Sequence, residues 1–147
     1  MSLINELREK SASAETIKNE VIAEIKNAFD KYLNSDRLEN SLRLRIGSAE
    51  IKERKVFMNV EFWEYHSGCS TTHFRCGGCD WYNPENKDGW ESHKYKGVEL
   101  ITINKEVCNY LSERLVSRMN ELGFYVVSKK DQNSRFGYYN THYYFGW

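Results

Sequence analysis

The sequence predicts an α+β fold, in which about five antiparallel or mixed strands form a sheet and two amphipathic helices pack on one of its faces. Two long segments place apolar residues at three- and four-residue spacing, which is the period of a helix. Several shorter segments alternate apolar and polar residues, which is the period of a strand. The 147 residues are enough for one domain with one core. We therefore expect a single domain over residues 1–147 in the order α-β-β-loop-β-α-β-β, with a loop insertion at about 66–92.

The first predicted element is an amphipathic helix over residues 13–34. Leu3, Ile4 and Leu7 lie roughly in phase with its apolar stripe. The helix therefore begins either near the start of the chain or after a break at the Ser-Ala-Ser segment, where either serine would cap the first turn by accepting its backbone N–H groups. The stripe itself consists of Ile17, Val21, Ile25, Ala28, Phe29 and Tyr32.

Two predicted strands follow the first helix. Residues 42–46 alternate leucine or isoleucine with arginine, and residues 55–65 alternate over a longer run. A short polar segment joins the two runs, so the sequence predicts a hairpin. The longer strand has an apolar face and a second face that we expect to be partly wet, because a glutamate stands among its aromatic residues. The two faces consist of Val56, Met58, Val60 and Phe62, and of Phe57, Asn59, Glu61, Trp63 and Tyr65.

The second half of the chain predicts one helix and three strands. Residues 94–103 are predicted to be a strand, and a helix follows with Asn104 as its N-cap and Cys108 on its buried stripe. Gly123 stands where a glycine is expected to end that helix. Two strands, at 124–129 and 138–147, complete the fold. The last strand is expected to bury Tyr139, Thr141, Tyr143, Phe145 and Trp147, and to place Tyr138, Asn140, His142 and Tyr144 on its opposite face.

The charge balance and the lengths of the apolar runs argue against several functional classes. Lys and Arg together number 21, as do Asp and Glu, so the formal net charge is zero. Binding to nucleic acid depends strongly on basic excess, and a nucleic-acid partner is therefore not expected. No stretch approaches the roughly 18 apolar residues that a membrane span needs. The amino-terminal residues resemble neither a signal peptide nor a presequence, so we expect a cytoplasmic protein with reduced thiols.

Cysteine and histidine are concentrated in the segment from His66 to Cys79. The spacing is H-x2-C-x3-H-x2-C-x2-C, and its tightest element is Cys76-Gly-Gly-Cys79. Two thiolates three residues apart can hold one Zn²⁺ ion from a tight turn. The surrounding segment has few aliphatic residues, so a metal would help it to order. The sequence therefore predicts a structural zinc site, with Cys69, Cys76 and Cys79 as sulfur ligands, His66 or His73 as the fourth ligand, and His93 as a remote alternative.

Two other interpretations of these cysteines stay open. The thiols are either reduced and unliganded, or they form a redox pair or a disulfide. A redox Cys-x2-Cys motif stands at the start of a helix, where the dipole lowers the thiol pKa. The segment after Cys79 has the composition of a turn, which disfavours the redox interpretation. Cys108 is expected to be an ordinary buried residue of the core.

Aromatic residues are the second group of candidate functional side chains. They make up 14% of the chain, and exposed tryptophan and tyrosine often anchor protein interfaces or stack on ligands. A protein partner is therefore expected, with a small molecule as the alternative. The candidate binding residues are Trp63, Trp81, Trp90, Tyr138 and Tyr144.

Together these patterns favour a small non-catalytic binding or adaptor module that acts through protein contacts and whose aromatic loop is held by zinc. One alternative is a small zinc-dependent hydrolase, in which Glu64, His66, Glu91 and His93 converge on an open metal site. Another is a small-molecule or nucleotide binder that uses the aromatic face of the sheet. The chain contains no H-E-x-x-H, G-x-S-x-G, Walker or dinucleotide-binding motif. A short, tyrosine-rich α+β chain would also be unsurprising among viral or mobile-element accessory proteins, although only composition suggests this.

Overall fold

The computed structural model describes residues 2–65, 71–77, 79–82, 94–132 and 139–147, without the side chains of residues 63–65, 71–73 and 79–82. The described chain contains helices and strands in the proportions of an α+β protein, which confirms the predicted class. The elements are α1 (Leu3–Leu33), α2 (Asp36–Arg45), α3 (Ser48–Glu53), β1 (Lys55–Tyr65), β2 (Thr71–Cys76), β3 (Cys79–Tyr82), β4 (Lys94–Tyr95), β5 (Val98–Glu99), a 3-10 turn (Leu100–Thr102), α4 (Asn104–Glu121), β6 (Tyr125–Asp131) and β7 (Tyr139–Gly146).

The main sheet is antiparallel, with the strand order β3-β2-β1-β7-β6. Its central strand, β1, pairs on one side with the next strand along the chain and on the other side with the last one. Strands β4 and β5 form a separate two-stranded sheet. Helices α1 and α4 pack against each other and against the apolar face of the main sheet. The buried residues of that face on β1 are Val56, Met58, Val60 and Phe62, as the sequence predicts.

Helix α1 is continuous from Leu3, so the predicted break at the Ser-Ala-Ser segment is absent. The Ser2 hydroxyl accepts a hydrogen bond from the Asn5 backbone N–H at 3.3 Å and caps the helix, which makes a cap at Ser11 or Ser13 wrong. Only the second half of α1 enters the core, from Val21 onward. Residues 2–17 are exposed along their whole length, Ile17 of the predicted stripe included. We call residues 2–17 the arm.

Residues 42–46 are not a strand, and the predicted hairpin with β1 is wrong. They belong to α2 and the residue that follows it. The Ser35 hydroxyl caps this helix, and leucines four residues apart, Leu38 and Leu42, face the core while Leu44 is 89% exposed. Three alternating residues fit the period of a strand as well as that of a helix, and here the serine cap and the four-residue spacing determine the structure.

The predicted strand over 94–103 is a small hairpin followed by a 3-10 turn. Lys96 and Gly97 have φ angles of 51° and 77°, which reverse the chain between β4 and β5. Tyr95 and Lys96 both donate hydrogen bonds to the Glu24 carboxylate on α1, the latter at 3.0 Å. Burial opposes ionisation of Glu24, but these two bonds outweigh it and lower its pKa. The hairpin is therefore attached to α1 at one carboxylate.

Strands β2 and β3 lie inside the segment predicted to be an irregular loop. Phe74 of β2 is fully buried, with its ring 5.0 Å from that of Phe62. Cys76 is also fully buried in the same core. The segment thus contributes apolar side chains to the core, which the composition of the loop as a whole conceals. Residues 66–70, 78 and 83–93 lie outside the described part of the chain.

Helix α4 closes the core from the same side as α1. It begins at Asn104, with Ile103 in the N-cap position, so the predicted boundary is one residue late. Gly123 has a φ of 98° and ends the helix as predicted. Cys108 is fully buried, as predicted, and burial raises the pKa of its thiol far above the ordinary value.

Among the helices of the described ranges, none is both long and apolar enough to cross a membrane.

Candidate functional site

Strands β1 and β7 pair at the centre of the sheet and combine two partly polar faces whose paired residues, from Glu61–Asn140 to Lys55–Gly146, are 79 to 91 residues apart in sequence. In their register Phe57 lies opposite Tyr144, and Asn59 lies opposite His142. Side chains alternate between the faces of a strand, so these residues share the surface opposite to the helix-packed face. We call this surface the open face. It consists of Lys55, Phe57, Asn59 and Glu61 on β1 and of Asn140, His142 and Tyr144 on β7.

Three aromatic rings form a cluster on the open face. The Phe57 ring lies 5.1 Å from His142 in an edge-to-face arrangement and 5.5 Å from Tyr144. The Lys55 Nζ atom stands over the Tyr144 ring, 5.8 Å from its centroid. Tyr144 is 45% exposed, whereas Tyr143, its neighbour on the other face, is 3% exposed. The cluster therefore presents the Tyr144 ring at the surface, where it packs against Phe57, and Phe57 packs in turn against His142.

A pair of buried amides adjoins the aromatic cluster. The Asn59 Nδ2 atom donates a hydrogen bond to Asn140 Oδ1 at 3.0 Å, and both residues are less than a tenth exposed. The Glu61 carboxylate lies 3.5 Å from the same amide nitrogen. Buried side-chain amides need such partners, because an unsatisfied polar group is costly. This end of the open face is polar but closed, and the Tyr144 end is accessible.

A groove continues the open face beyond Tyr144, where β1 begins and β7 ends. Its volume is about 570 Å³, and its lining includes Lys55, Tyr125, Val127 and Trp147. Two of the lining residues pack over Gly146, where a Cβ atom would lie 2.8 Å from the Tyr125 ring and 2.9 Å from Val127. The absence of a side chain at Gly146 is thus what allows Tyr125 to lie across the strand.

The candidate binding residues that the sequence predicts divide into three groups. Tyr144 lies in the aromatic cluster. Trp63 and Trp81 lie within β1 and β3, and their side chains are not among the described groups. Trp90 and Tyr138 lie outside the described residues. The sequence places Phe57 and His142 on the partly polar faces of their strands, but neither they nor Lys55 are among its candidate binding residues, because only the pairing of β1 with β7 brings them beside Tyr144.

The Cys76-Gly-Gly-Cys79 segment forms the turn between β2 and β3. Cys76 lies directly opposite Cys79 in the strand register. Gly77 has a φ of 58°, and a Cβ atom there would lie 2.7 Å from the Met58 Cε atom. Glycine at position 77 adopts this left-handed conformation without the cost that a side chain would add, and a side chain there would displace the end of Met58. The turn brings the two cysteines of the motif together, as the zinc prediction requires.

The other predicted metal ligands are not brought to this turn by the described structure. His73 lies three residues before Cys76 along β2, about 10 Å away at the rise of an extended strand. His66, Cys69 and His93 lie outside the described residues. Among the side chains that the structure describes, no three His, Cys, Asp or Glu residues are grouped as metal ligands would be. The glutamates and histidines of the hydrolase alternative also fall outside those side chains.

The chain was compared with models of protein families, with curated proteins and with solved structures, and none of the three comparisons gave a match. The geometry of the chain's own residues therefore carries the functional argument.

Proposed function

We propose that this chain is a cytoplasmic, non-catalytic binding module that contacts a protein partner through its open face. The observation that carries the proposal is the cluster of Phe57, His142 and Tyr144, in which the half-exposed Tyr144 ring packs against Phe57 and Phe57 packs against His142. Rigid aromatic side chains at half-exposed positions are the residues that most often dominate binding energy at protein interfaces. The zero net charge of the chain also favours a protein partner over nucleic acid.

The partner that fits this surface presents an apolar or aromatic side chain with an acidic group beside it. Apolar contact is offered by the Tyr144 ring and by Tyr125, Val127 and Trp147 of the neighbouring groove, whose other lining residues are Glu53, Arg54 and Lys55. Lys55 also stands over the Tyr144 ring. The closed amide pair fixes the backbone on which the rings stand, so the contact surface is preorganised and loses little side-chain freedom on binding.

The test is a comparison of Tyr144→Ala with Leu44→Ala. Both changes remove an exposed apolar side chain, but Leu44 lies on α2, away from the open face. Proteins captured by the wild-type chain are purified and titrated against each variant. We expect Tyr144→Ala to weaken the binding of a true partner by about tenfold or more, as loss of an interface anchor does, and Leu44→Ala to leave it unchanged. The proposal is wrong if every purified partner binds Tyr144→Ala as tightly as wild type.

We also propose that a structural zinc ion is held at the β2–β3 turn by Cys76 and Cys79, with Cys69 and His66 as the other two ligands. The glycine turn and the direct opposition of the two cysteines support the proposal. The length of β2 works against Cys69, because Thr71 and Cys76 are about 17 Å apart along an extended strand. A shell that includes Cys69 would need the chain before Thr71 to return along that strand.

Metal content tests this second proposal. We expect about one zinc ion per chain after purification without added metal, and its loss in Cys79→Ser, since the removal of one thiolate opens the tetrahedral shell. Cys108→Ala is the matched control, because Cys108 is buried in the core, and it should retain the metal. Thiols must be counted in denaturant, since Cys76 and Cys108 are inaccessible in the folded chain. A wild-type chain without zinc contradicts the proposal.

A further inference from the structure

The apolar side of α1 that faces the core continues along the arm, where it is exposed. Leu3, Ile4 and Leu7 precede Val21, Ile22 and Ile25 by 18 residues each, which is about five helical turns. The two sets therefore lie on the same side of the helix, about 27 Å apart along its axis. Val21 and Ile25 are fully buried, whereas Leu3 is 70% exposed and Leu7 is 48% exposed. The same apolar pattern is thus covered in one half of the helix and uncovered in the other.

The apolar face of the arm narrows to small residues at its centre. Ser11 and Ala14 lie on the same side of the helix as Leu7, and Ile17 lies at its margin. Small residues allow a second helix to approach closely, since the distance between packed helix axes depends on the side chains at the contact. Larger apolar residues at both ends, Leu7 and Ile17, would then flank that close approach.

The charges beside this face are self-complementary. Arg8 and Glu15 are seven residues apart, so they lie within about 20° of each other on the same margin of the face. In an antiparallel pair of arms related by a two-fold axis between Ser11 and Ala12, each Arg8 is level with Glu15 of the second copy. Leu7 is then level with the segment between Ala14 and Ile17 of that copy. In a parallel pair, the margins that carry Arg8 and Glu15 would lie on opposite sides of the interface, so these charges could not pair with each other.

From this pattern we propose that the arm is a homodimerisation element that pairs antiparallel with the arm of a second copy of the chain. The arm contains three acidic and two basic residues, so it has almost no net charge with which to attract a strongly charged partner. Instead, one basic and one acidic residue, Arg8 and Glu15, lie along one margin of the apolar face. In an antiparallel pair, each of them is level with the residue of opposite charge on the second copy. The proposal is independent of the open face, which lies on the sheet and not on α1.

Charge exchange tests the proposed register directly. Arg8→Glu, Glu15→Arg and the double variant are compared with wild type by sedimentation equilibrium over a wide concentration range. We expect wild type to dimerise and each single change to weaken the dimer by about tenfold or more, because each turns two attractive pairs into repulsive ones. The double variant restores both pairs and should dimerise as wild type does. An equimolar mixture of the two single variants should form a heterodimer.

Lys52→Glu is the matched control, because it reverses an exposed charge on α3 and should leave the dimer unchanged. The melting temperature of each variant shows that it is folded. A wild-type chain that stays monomeric up to millimolar concentration overturns the proposal, as do single variants that dimerise normally or a double variant as weak as the singles. None of these results bears on partner binding at Tyr144, so the two proposals fail separately.

Discussion

The two halves of α1 carry nearly the same pattern of apolar residues and have opposite environments. From Val21 to Leu33 the pattern is buried against the sheet and α4, and from Ser2 to Ile17 it is exposed. The difference lies outside the helix, in whether another element of the chain reaches that side of it. An amphipathic pattern therefore shows which side of a helix is suited to contact, but it does not show what makes the contact.

The largest expected effect is a loss in the free energy of unfolding when an apolar side chain is truncated in the buried half of α1. A truncation on the same side of the helix in the arm provides the comparison. Ile25→Ala removes a fully buried side chain and leaves a cavity, so we expect it to lower the free energy of unfolding by about 2–5 kcal/mol. Leu7→Ala should change it by no more than about 0.5 kcal/mol, because Leu7 is exposed. Chemical denaturation is measured at a protein concentration low enough to keep the chain monomeric. Equal losses in the two variants would show that the arm is covered within the monomer.

A smaller effect is expected where the buried half begins, at Glu24. Its folded-state pKa is lowered, so the stability that it contributes is present above the ordinary glutamate pKa and is lost as pH falls through the folded value. At neutral pH, Glu24→Gln should cost less than about 1 kcal/mol, since the carboxylate is partly exposed. The deficit should begin to shrink as pH falls below the ordinary pKa of 4.5 and should vanish only below the lowered folded-state pKa. The deficit is measured by denaturant unfolding of wild type and Glu24→Gln, at neutral pH and in acid.

Glu20→Gln is the matched control for this prediction, because Glu20 is an exposed carboxylate one turn earlier on α1. It should leave stability unchanged at both pH values. A deficit for Glu24→Gln that persists unchanged in acid would show that the contact with Tyr95 and Lys96 does not depend on the ionised carboxylate.

The elements that could be predicted from the sequence are those whose period is repeated often enough. The buried half of α1, α4 with its terminal Gly123, and strands β1, β6 and β7 all follow from local patterns. The segment at Leu42–Ile46 could not be assigned, because three alternating residues do not distinguish a strand from a helix. The turn at Lys96-Gly97 was missed because lysine rarely adopts a positive φ, and the strand pattern around it is otherwise continuous.

The candidate site could be predicted only in part, because its geometry is non-local. The sequence indicates which faces of β1 and β7 are partly polar, but the pairing of Phe57 with Tyr144 depends on a strand register across 87 positions. Likewise, Phe74 anchors β2 in the core, whereas the composition of its surroundings suggested a loop that a metal must hold. A segment whose average composition is too polar for a core can thus still form a strand, because one large ring, Phe74, is buried in the right register.

The continuity of α1 has a mechanical consequence. The helix contains neither glycine nor proline, so we expect it to be rigid. At the usual 1.5 Å per residue it is about 46 Å long. One of its ends is packed in the core, and the other, the arm, is exposed. A molecule that binds the arm therefore also fixes the orientation of the sheet. Two copies joined by their arms would hold two Tyr144 surfaces at a set spacing, and a partner with repeated epitopes would then bind by avidity, far more tightly than to one surface alone.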